Sequence, residues 1–559
     1  MKIKLLFSLV LCFGTLAATA QNQGTFSGDI QLNTSFFMRD TLIGAANTPQ
    51  YDRQKSSSES WLNLNYSNKG FNVGVRFDLY NNSNLLVPSG SFSAVGIGRF
   101  SIQKTIDKLD ITGGYFYDQI GSGILFRAYE ARFLGIDNSL AGARVVYKFN
   151  DNWKIKAFTG KQRKLAPDEK QLLAVYDPLI MGATVEGFMK LGGDSSNVSI
   201  APGVGALKRT LDDNTMNSIF TRINTDPQTA SRFVPRYNTY GFSLFNTLTI
   251  GDFSWYVEGA YKTHEAIPDP SRPTYYQDAA GSVLFTTLSY SLPKASINLQ
   301  FKRTDNFFLR TSALQTLNRG FVSFLPPMQR QNTYRLTARY NAASQELGEW
   351  AYSAEVALHP SEHLDLTFNY SSAASPNASA NTVAVNPDYF REALGEATYE
   401  FNDNNKLLLG LQYQLYNQAF YETEPGAPNV QAITPYTEFI HRFSRKKSLR
   451  IESQYMFTKQ DLGAWAFLLA EFSVVPHWTV TAAGLLNTVP RKYGERRIMT
   501  NGKEQTPIFY PTVAIFYTMK ASRFSLSYVK QPQGVVCTGG VCRVEPAFSG
   551  FKIGMTSRF

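Results

Sequence analysis

Residues 71–80 read FNVGVRFDLY, and their side chains alternate between two faces. One face carries Phe71, Val73, Val75, Phe77 and Leu79, and the other carries Asn72, Gly74, Arg76, Asp78 and Tyr80. The same alternation recurs in 297–302, 407–416 and 449–457. A period of two indicates β-strands. Blocks of about 9 to 12 residues are long for a globular sheet, but they suit a tilted strand that crosses a bilayer.

The composition of the two faces decides between a soluble sandwich and a membrane barrel. The polar faces carry Arg, Lys, Gln and Asn, whereas the opposite faces are rich in Phe, Tyr and Leu. Charged residues are only 18% of the chain, and the mean hydropathy of -0.22 excludes a bundle of transmembrane helices. A sheet in lipid must close on itself, because no water is present to satisfy its edges. We therefore predict an all-β fold, a transmembrane antiparallel outer-membrane β-barrel with inward-folded loops.

The links between the blocks alternate in length. Short links such as 69–70 and long polar links such as 119–138 and 266–279 follow one another along the chain. In outer-membrane barrels the short turns face the periplasm and the long loops face outward. Residues 309–331, with two consecutive prolines, are ambiguous. Counting a strand there gives about 26 strands, and omitting doubtful segments gives about 22 to 24.

The N-terminus predicts export. A basic start and an apolar stretch of about a dozen residues precede Ala18-Thr19-Ala20, which matches a signal-peptide cleavage pattern. We predict a cleaved signal peptide at 1–20 and a single barrel domain at 21–559. The predicted location is the outer membrane of a Gram-negative cell.

The net charge has to be interpreted together with export. The formal charge is +11, from 55 Lys and Arg against 44 Asp and Glu, yet the longest basic run is Arg445-Lys446-Lys447. Nucleic-acid-binding proteins cluster such charges on one face, so no nucleic-acid partner is expected. Scattered cations in an exported chain indicate acidic headgroups or an anionic interior surface. The predicted partners are outer-membrane lipid and lipopolysaccharide, the barrel-assembly machinery during biogenesis, and a surface or secretion complex.

The C-terminal residues give a second indication of an outer-membrane barrel. Phe551, Ile553, Met555 and Phe559 share one face of the last block. This pattern resembles the closing-strand signal that the bacterial outer-membrane assembly machinery reads. We predict that these four residues form that assembly signal.

The residues available for catalysis or metal binding are few. Cys537 and Cys542 enclose Thr-Gly-Gly-Val, so a structural disulfide across a tight turn is favoured over a redox or metal pair. His359 and His363 lie in HPSEH, which lacks the residue order of a zinc helix and predicts a solvated turn. No nucleophile elbow or nucleotide-binding loop is present. We predict no cofactor, no metal site and no enzymatic activity. An outer-membrane hydrolase stays open as an alternative, because a His and a carboxylate can meet a nucleophile in three dimensions.

One segment resembles a known family. Residues 113–148 read GGYFYDQIGSGILFRAYEARFLGIDNSLAGARVVYK, and FTGKQR follows at 158–163. Together with FSGDIQLNTSFF near the N-terminus and FLPPMQRQNTYRL at 324–336, they resemble an uncharacterised family of large outer-membrane β-barrels of the Bacteroidota, a domain of unknown function. The resemblance implies the fold and the location, and it implies no activity.

The same segment predicts a site. Its charges are Asp118, Arg127, Glu130, Arg132 and Asp137, interspersed with glycines and bulky apolar residues that a water-exposed loop would not need. One hypothesis is a loop folded into the lumen, where these charges meet the wall residues Arg76 and Asp78 and form a constriction. The alternative is a structural ion-pair network that fills an oversized barrel.

Three functions follow from these patterns. The leading prediction is a porin-like channel or facilitator for a polar solute or a secreted polymer. Its lumen is expected to be polar, with a modest cationic excess, and at least partly closed by residues 119–138 and 309–331. The second is a non-conducting barrel that serves as a scaffold for a cell-surface or secretion assembly. The third is the outer-membrane hydrolase.

Overall fold

The structure, a computed structural model, describes residues 24–559 apart from 166–170, 194–195, 226–232, 270–271, 377–387, 493–494, 497–503 and 539–540. One antiparallel sheet closes into a barrel of 24 strands, a number within the predicted range. Two-residue segments at Met189–Lys190 and Glu495–Arg496 also pair with the sheet. In chain order the strands are β1 Thr25–Phe37, β2 Ser56–Asn68, β3 Phe71–Ser83, β4 Phe92–Ile106, β5 Leu109–Phe116, β6 Leu140–Lys148, β7 Trp153–Arg163, β8 Val175–Gly187, β9 Val198–Thr210, β10 Asn238–Ile250, β11 Phe253–Asp269, β12 Arg272–Leu292, β13 Ala295–Asp305, β14 Gly348–Ser361, β15 Leu364–Ala374, β16 Asp388–Asn402, β17 Asn405–Tyr416, β18 Val430–Ser444, β19 Lys447–Met456, β20 Gly463–Val474, β21 Trp478–Lys492, β22 Ile508–Met519, β23 Ser522–Gln531 and β24 Phe548–Arg558.

The barrel closes where its first and last strands meet. β1 pairs with β24 in antiparallel register from Asp29 with Arg558 to Phe37 with Gly550. The side chains of Phe551 and Ile553 are 43% and 41% exposed, on the outer face that the sequence predicts for the closing strand. The role of this strand as an assembly signal stays a prediction. We call the inner faces of β23, β24, β1 and β2 the seam wall.

The outer surface has the distribution of apolar side chains that a bilayer requires. Exposed aromatic side chains form one band near the end of the barrel that carries the short turns, the turn end: Phe149, Trp255, Tyr290, Tyr399, Phe443 and Trp478. A second band lies toward the opposite end, the loop end: Tyr240, Tyr261, Trp350, Tyr370, Tyr413 and Phe509. Exposed aliphatic residues such as Leu244, Leu409 and Leu526 lie on the same outer face. Two aromatic belts around an apolar band are typical of a transmembrane barrel.

The structure resolves one segment that the sequence leaves ambiguous and shows that one predicted link is wrong in detail. Residues 309–331 form no barrel strand; they belong to a long link between β13 and β14 that folds into the lumen. Their prolines remove the backbone donors that a ladder needs. The link predicted at 266–279 is instead largely paired, since β11 and β12 extend as a hairpin past Glu265 and Ala279. Among the described residues, no helix is long and apolar enough to cross a membrane.

The hydrophobic core lies inside the barrel. It is made by the first inner segment, residues 117–139, the second inner segment, residues 306–347, and inward side chains of the wall. Ile120, Ile124, Leu125 and Phe126 are completely buried. Among the described residues, the seam wall contributes no member to this central cluster. The apolar packing of the inner segments is therefore against the wall outside the seam.

The two cysteines lie in a hairpin at the loop end. Gly534–Thr538 pairs with Val541–Glu545, and this register sets Cys537 opposite Cys542. The disulfide stays a prediction, because the two cysteine side chains and the turn at 539–540 lie outside the described part of the chain. The predicted signal peptide also lies outside it.

Candidate functional site

The two inner segments are joined to each other inside the lumen. The Arg127 amide donates to the carbonyl of Val322 at 2.9 Å, and the Phe324 amide donates to the carbonyl of Gly123 at 3.0 Å. The side chain of Asn138 donates to the carbonyl of Phe321 at 3.1 Å. The link between β5 and β6 and the link between β13 and β14 therefore pack together as one body inside the lumen.

Ion pairs between buried side chains attach the first inner segment to β3 and β7. Arg76 contacts three carboxylates at 2.7 Å each, through Nε to Asp78 Oδ1, Nη1 to Glu130 Oε1 and Nη2 to Asp137 Oδ2. Arg163 supplies a second guanidinium, with Nη2 at 2.9 Å from Asp78 Oδ2 and Nη1 paired with Asp137. We call these five residues the Arg76 network. Arg76, Asp78 and Arg163 are each 1% exposed, and a charge so buried must be paired.

Arg163 was missed by the sequence analysis. Strict alternation along β7 would place Arg163 on the same outer face as Lys161. A β-bulge between these two residues shifts the register, and both Gln162 and Arg163 become buried. Burial alone would raise the pKa of Asp137, but the Arg163 and Arg76 guanidiniums hold it well below its usual range.

Arg132 continues this arrangement toward the seam wall. Its Nε lies 2.8 Å from Glu130 Oε1, and its Nη1 donates to Gln31 Oε1 at 3.0 Å. The guanidinium also lies 5.3 Å from the Trp61 ring, within the range of a cation–π contact. The chain at 130–132 is therefore tied to β1, β2 and β3.

The other two predicted site residues lie apart from the Arg76 network. Asp118 pairs with Lys156 of β7 at 2.5 Å. Arg127 lies 4.2 Å from the Phe324 ring and 5.0 Å from the Tyr129 ring, so it links the two inner segments. The structure brings together Arg76, Asp78, Glu130, Arg132 and Asp137, but it gives Asp118 and Arg127 different partners.

A second anchor of the first inner segment is a buried carboxylate on β11. Glu258 Oε2 accepts from the Ser122 amide at 2.9 Å, from the Ser122 hydroxyl at 2.5 Å and from the Tyr256 hydroxyl at 2.6 Å. Among the described residues, no cation lies within ion-pair distance of Glu258, which is completely buried. Gly121 and Gly123, with φ of 54° and 101°, allow the tight bend that presents Ser122.

Part of the second inner segment is a strap, residues 331–337, that runs across β16, β17, β18 and β19. It ends in a turn in which the Ala338 amide donates to the Tyr334 carbonyl at 3.0 Å. Every second residue of the strap bonds to the wall: Asn332 to Glu392 at 2.9 Å, Tyr334 to Glu438 at 3.4 Å, and the Leu336 amide to Gln454 at 2.7 Å. The intervening side chains, Gln331, Thr333 and Arg335, are exposed. Since the strap lies inside the barrel, that exposed face borders open lumen.

The turn end of the lumen is open and polar. A cavity of about 550 Å³ lies there, next to the first inner segment. Its lining includes Arg99, Gln103, Thr112, Tyr117 and Arg144. In the described part of the chain, no three His, Cys, Asp or Glu residues are grouped so that they could hold a metal ion.

Sequence comparison assigns the chain to a family. The model of a "Family of unknown function (DUF6029)" matches residues 1–559. The chain belongs to this family. Membership in DUF6029 agrees with the resemblance seen at 113–163 and brings no activity with it. Among curated proteins, none is significantly similar in sequence.

Solved structures with some similarity are large outer-membrane receptors. The ferric-catecholate import receptor Fiu of E. coli K12 is 10% identical over 96% of this chain and 82% of its own, with a TM-score of 0.41. The ferric enterobactin receptor PfeA of Pseudomonas aeruginosa is 9% identical over 96% and 80%, with a TM-score of 0.44. The siderophore receptor PirA of Pseudomonas aeruginosa is 8% identical over 97% and 81%, with a TM-score of 0.41. At these values the receptors' ligands are not transferred to this DUF6029 chain.

Proposed function

We propose that this protein is an outer-membrane channel for polar solutes or for a secreted polymer, narrowed by its two inner segments. The observation that carries the proposal is the exposed face of the strap. Gln331, Thr333 and Arg335 border open lumen, and the turn end holds a polar cavity. A barrel filled only for stability would have no need of polar side chains along an open path.

A second candidate is the non-conducting scaffold. It is favoured by the central apolar cluster, which ties both inner segments to wall strands from β5 to β22. Such a cluster resists displacement because burying apolar surface is the dominant stabilising term in folding. Under this alternative the lumen stays sealed and the outer loops bind partners.

Conductance separates the two functions. The purified full chain, refolded and inserted in a planar bilayer, should give discrete single-channel steps if it is a channel. Replacing residues 119–138 by a short Gly-Ser linker should enlarge the steps, because it removes the body that obstructs the lumen. Replacing Pro425 and Gly426, two exposed residues in the link between β17 and β18, by Gly-Ser is the control and should leave the steps unchanged.

Two results would count against the proposal, the first against the channel and the second against its narrowing. A wild-type barrel that migrates as a folded, heat-modifiable species yet gives no steps would favour the scaffold. Unchanged conductance in the folded 119–138 variant would remove the obstructing role of the first inner segment.

A further inference from the structure

The open side of the lumen lies between the strap and the seam wall. The strap turns Gln331, Thr333 and Arg335 away from its own wall contacts. The seam wall adds no residue to the central apolar cluster within the described chain. Lys552 and Thr556 project inward from β24, since they lie on the face opposite Phe551 and Ile553. Arg335 of the strap lies within electrostatic range of Lys552 of the seam wall, and we call the space between these two polar surfaces the passage.

Cations from three different elements meet in this passage. Arg335 comes from the strap, Lys552 from β24, and Arg543 from the hairpin that carries the cysteines. Arg335 and Arg543 are both within electrostatic range of Lys552, and so are the carboxylates of Glu59 and Glu545. Three positive charges thus face two negative charges.

Among the described residues, none of the three cations forms an ion pair with a carboxylate. Within the described residues, Arg335 has no hydrogen-bond or ion-pair partner, and the Lys552 ammonium has only the Phe548 ring, 4.4 Å from the ring centroid. Arg543 donates to two carbonyls, Leu85 at 3.1 Å and Phe133 at 2.9 Å; in the described part of the chain it has no ion pair, and Glu545 and Glu59 lie within electrostatic range of it. This differs from the Arg76 network, where each guanidinium contacts carboxylates.

The two arginines share one nearby carboxylate. Enclosure inside the barrel lowers the pKa of Arg335, Glu545 raises it, and the charge of Arg339 lowers it again. Enclosure also lowers the pKa of Arg543, while Glu545 and Glu59 raise it. Guanidiniums nevertheless stay charged at any physiological pH, so an anion that enters the passage would relieve their mutual repulsion.

We infer that the passage between the strap and the seam wall selects anions, so that the solute of the proposed channel carries carboxylate or phosphate groups. This inference rests on the proposed function, because selectivity has a meaning only if the barrel conducts. Arg335, Lys552 and Arg543 are the residues that set the selectivity.

The test is the reversal potential of the full-length refolded barrel in a phosphatidylcholine bilayer across a potassium chloride gradient. Wild type should prefer chloride. Arg335→Gln and Lys552→Gln should each lower the chloride-to-potassium permeability ratio at least about twofold, the Coulomb effect of one charge several ångströms away in water. Arg335→Lys keeps the charge and should keep the ratio. Lys406→Gln, which removes a cation of β17 that is paired with Glu400 at 3.1 Å, is the matched control.

Inorganic phosphate adds a second measurement. Millimolar phosphate should reduce the chloride current of wild type and of Lys406→Gln, and it should have less effect on Arg335→Gln. The bilayer contains no lipopolysaccharide, so any reduction of the current in this measurement is caused by dissolved phosphate. If the current falls only after lipopolysaccharide is added, the bound anion is a lipid headgroup, and the assignment of an anionic solute is overturned.

The outcomes separate the inference from the function on which it rests. A conducting wild type that prefers potassium, or that shows no change in Arg335→Gln and Lys552→Gln, overturns the inference and leaves the channel intact. A folded wild type without conductance overturns both. A chloride preference lost in these two variants and kept in Arg335→Lys supports both.

Discussion

Substituting Asp137→Asn should release the first inner segment without unfolding the barrel. Asp137 is the residue of that segment that contacts both guanidiniums of the Arg76 network. The introduced amide keeps the shape of the side chain but removes its charge, and its NH₂ group faces donors. Arg76 retains Asp78 and Glu130, whereas Arg163 retains only its pair with Asp78 and its bond to the Leu172 carbonyl.

The size of the effect follows from burial. Removing one partner of a buried ion pair costs about 3 to 5 kcal/mol, because an uncompensated charge is left in a poorly hydrated site. The remaining carboxylates compensate part of this cost, so the lower figure of about 3 kcal/mol applies. With about 1.4 kcal/mol for each factor of ten, the population of the detached segment should rise on the order of 100-fold.

Hydrogen exchange measured by mass spectrometry on the refolded barrel reports this population directly. Amides at 117–139 should exchange on the order of 100-fold faster in Asp137→Asn than in wild type, while those of β16 to β19 keep their protection. The control is Asp177→Asn, which removes a surface pair with Lys161 at 3.7 Å and should change nothing. Equal exchange in Asp137→Asn and wild type would refute the assignment of this network as the anchor, and faster exchange spread over all strands would refute its local character.

Three further predictions follow from other contacts. Glu258→Leu leaves the Ser122 amide without an acceptor, which costs about 1 to 3 kcal/mol; faster exchange confined to the tip of the first inner segment would show it, whereas Glu258→Gln should be milder. Gly550→Ala should lower the yield of heat-modifiable barrel, because at a φ of 147° its added Cβ would lie 1.9 Å from the Phe36 carbonyl oxygen; a normal yield would contradict this. The pKa of Asp137 is lowered, so its stabilising contribution should be constant from neutral pH to about pH 4 and be lost only as the pH falls further, through the lowered pKa. This expectation is contradicted if the thermal unfolding temperature already drops between pH 7 and pH 5 in wild type but not in Asp137→Asn.

The wall of the barrel could be predicted because alternation alone determines which side chains face lipid. Phe77 is 42% exposed on the outer face, while Arg76 and Asp78 on either side of it are buried in the lumen, as the pattern in 71–80 requires. The partnership of Arg76 and Asp78 with the charges of 117–139 was also predictable, because a lumen-facing charge in a wide barrel needs a counter-charge and this segment is the one dense in both signs.

The rest of the site could not be predicted from the sequence. Arg163 enters the Arg76 network through a bulge, and no local pattern announces a bulge. The sequence of 309–331 is compatible both with a strand and with a loop that closes the lumen. The choice depends on distant wall strands, because Leu309, Val322 and Leu325 are buried in the central cluster. Glu258 looks like any inward polar residue of β11, since only its contact with Ser122 distinguishes it.

The closure of the barrel between its first and last strands constrains the order of assembly. The Tyr51 hydroxyl donates to the carbonyl of Ala547 across 496 residues of sequence, so this contact must wait for nearly the entire chain. The central cluster draws on wall residues from Phe116 to Tyr510, all of which precede β24. Both inner segments can therefore dock while the sheet is still an open, curved surface, and the joining of β24 to β1 then encloses a body that is already packed. Contacts of such long sequence separation make folding slow, and they leave one edge of β1 unpaired, and open to aggregation, until β24 joins it.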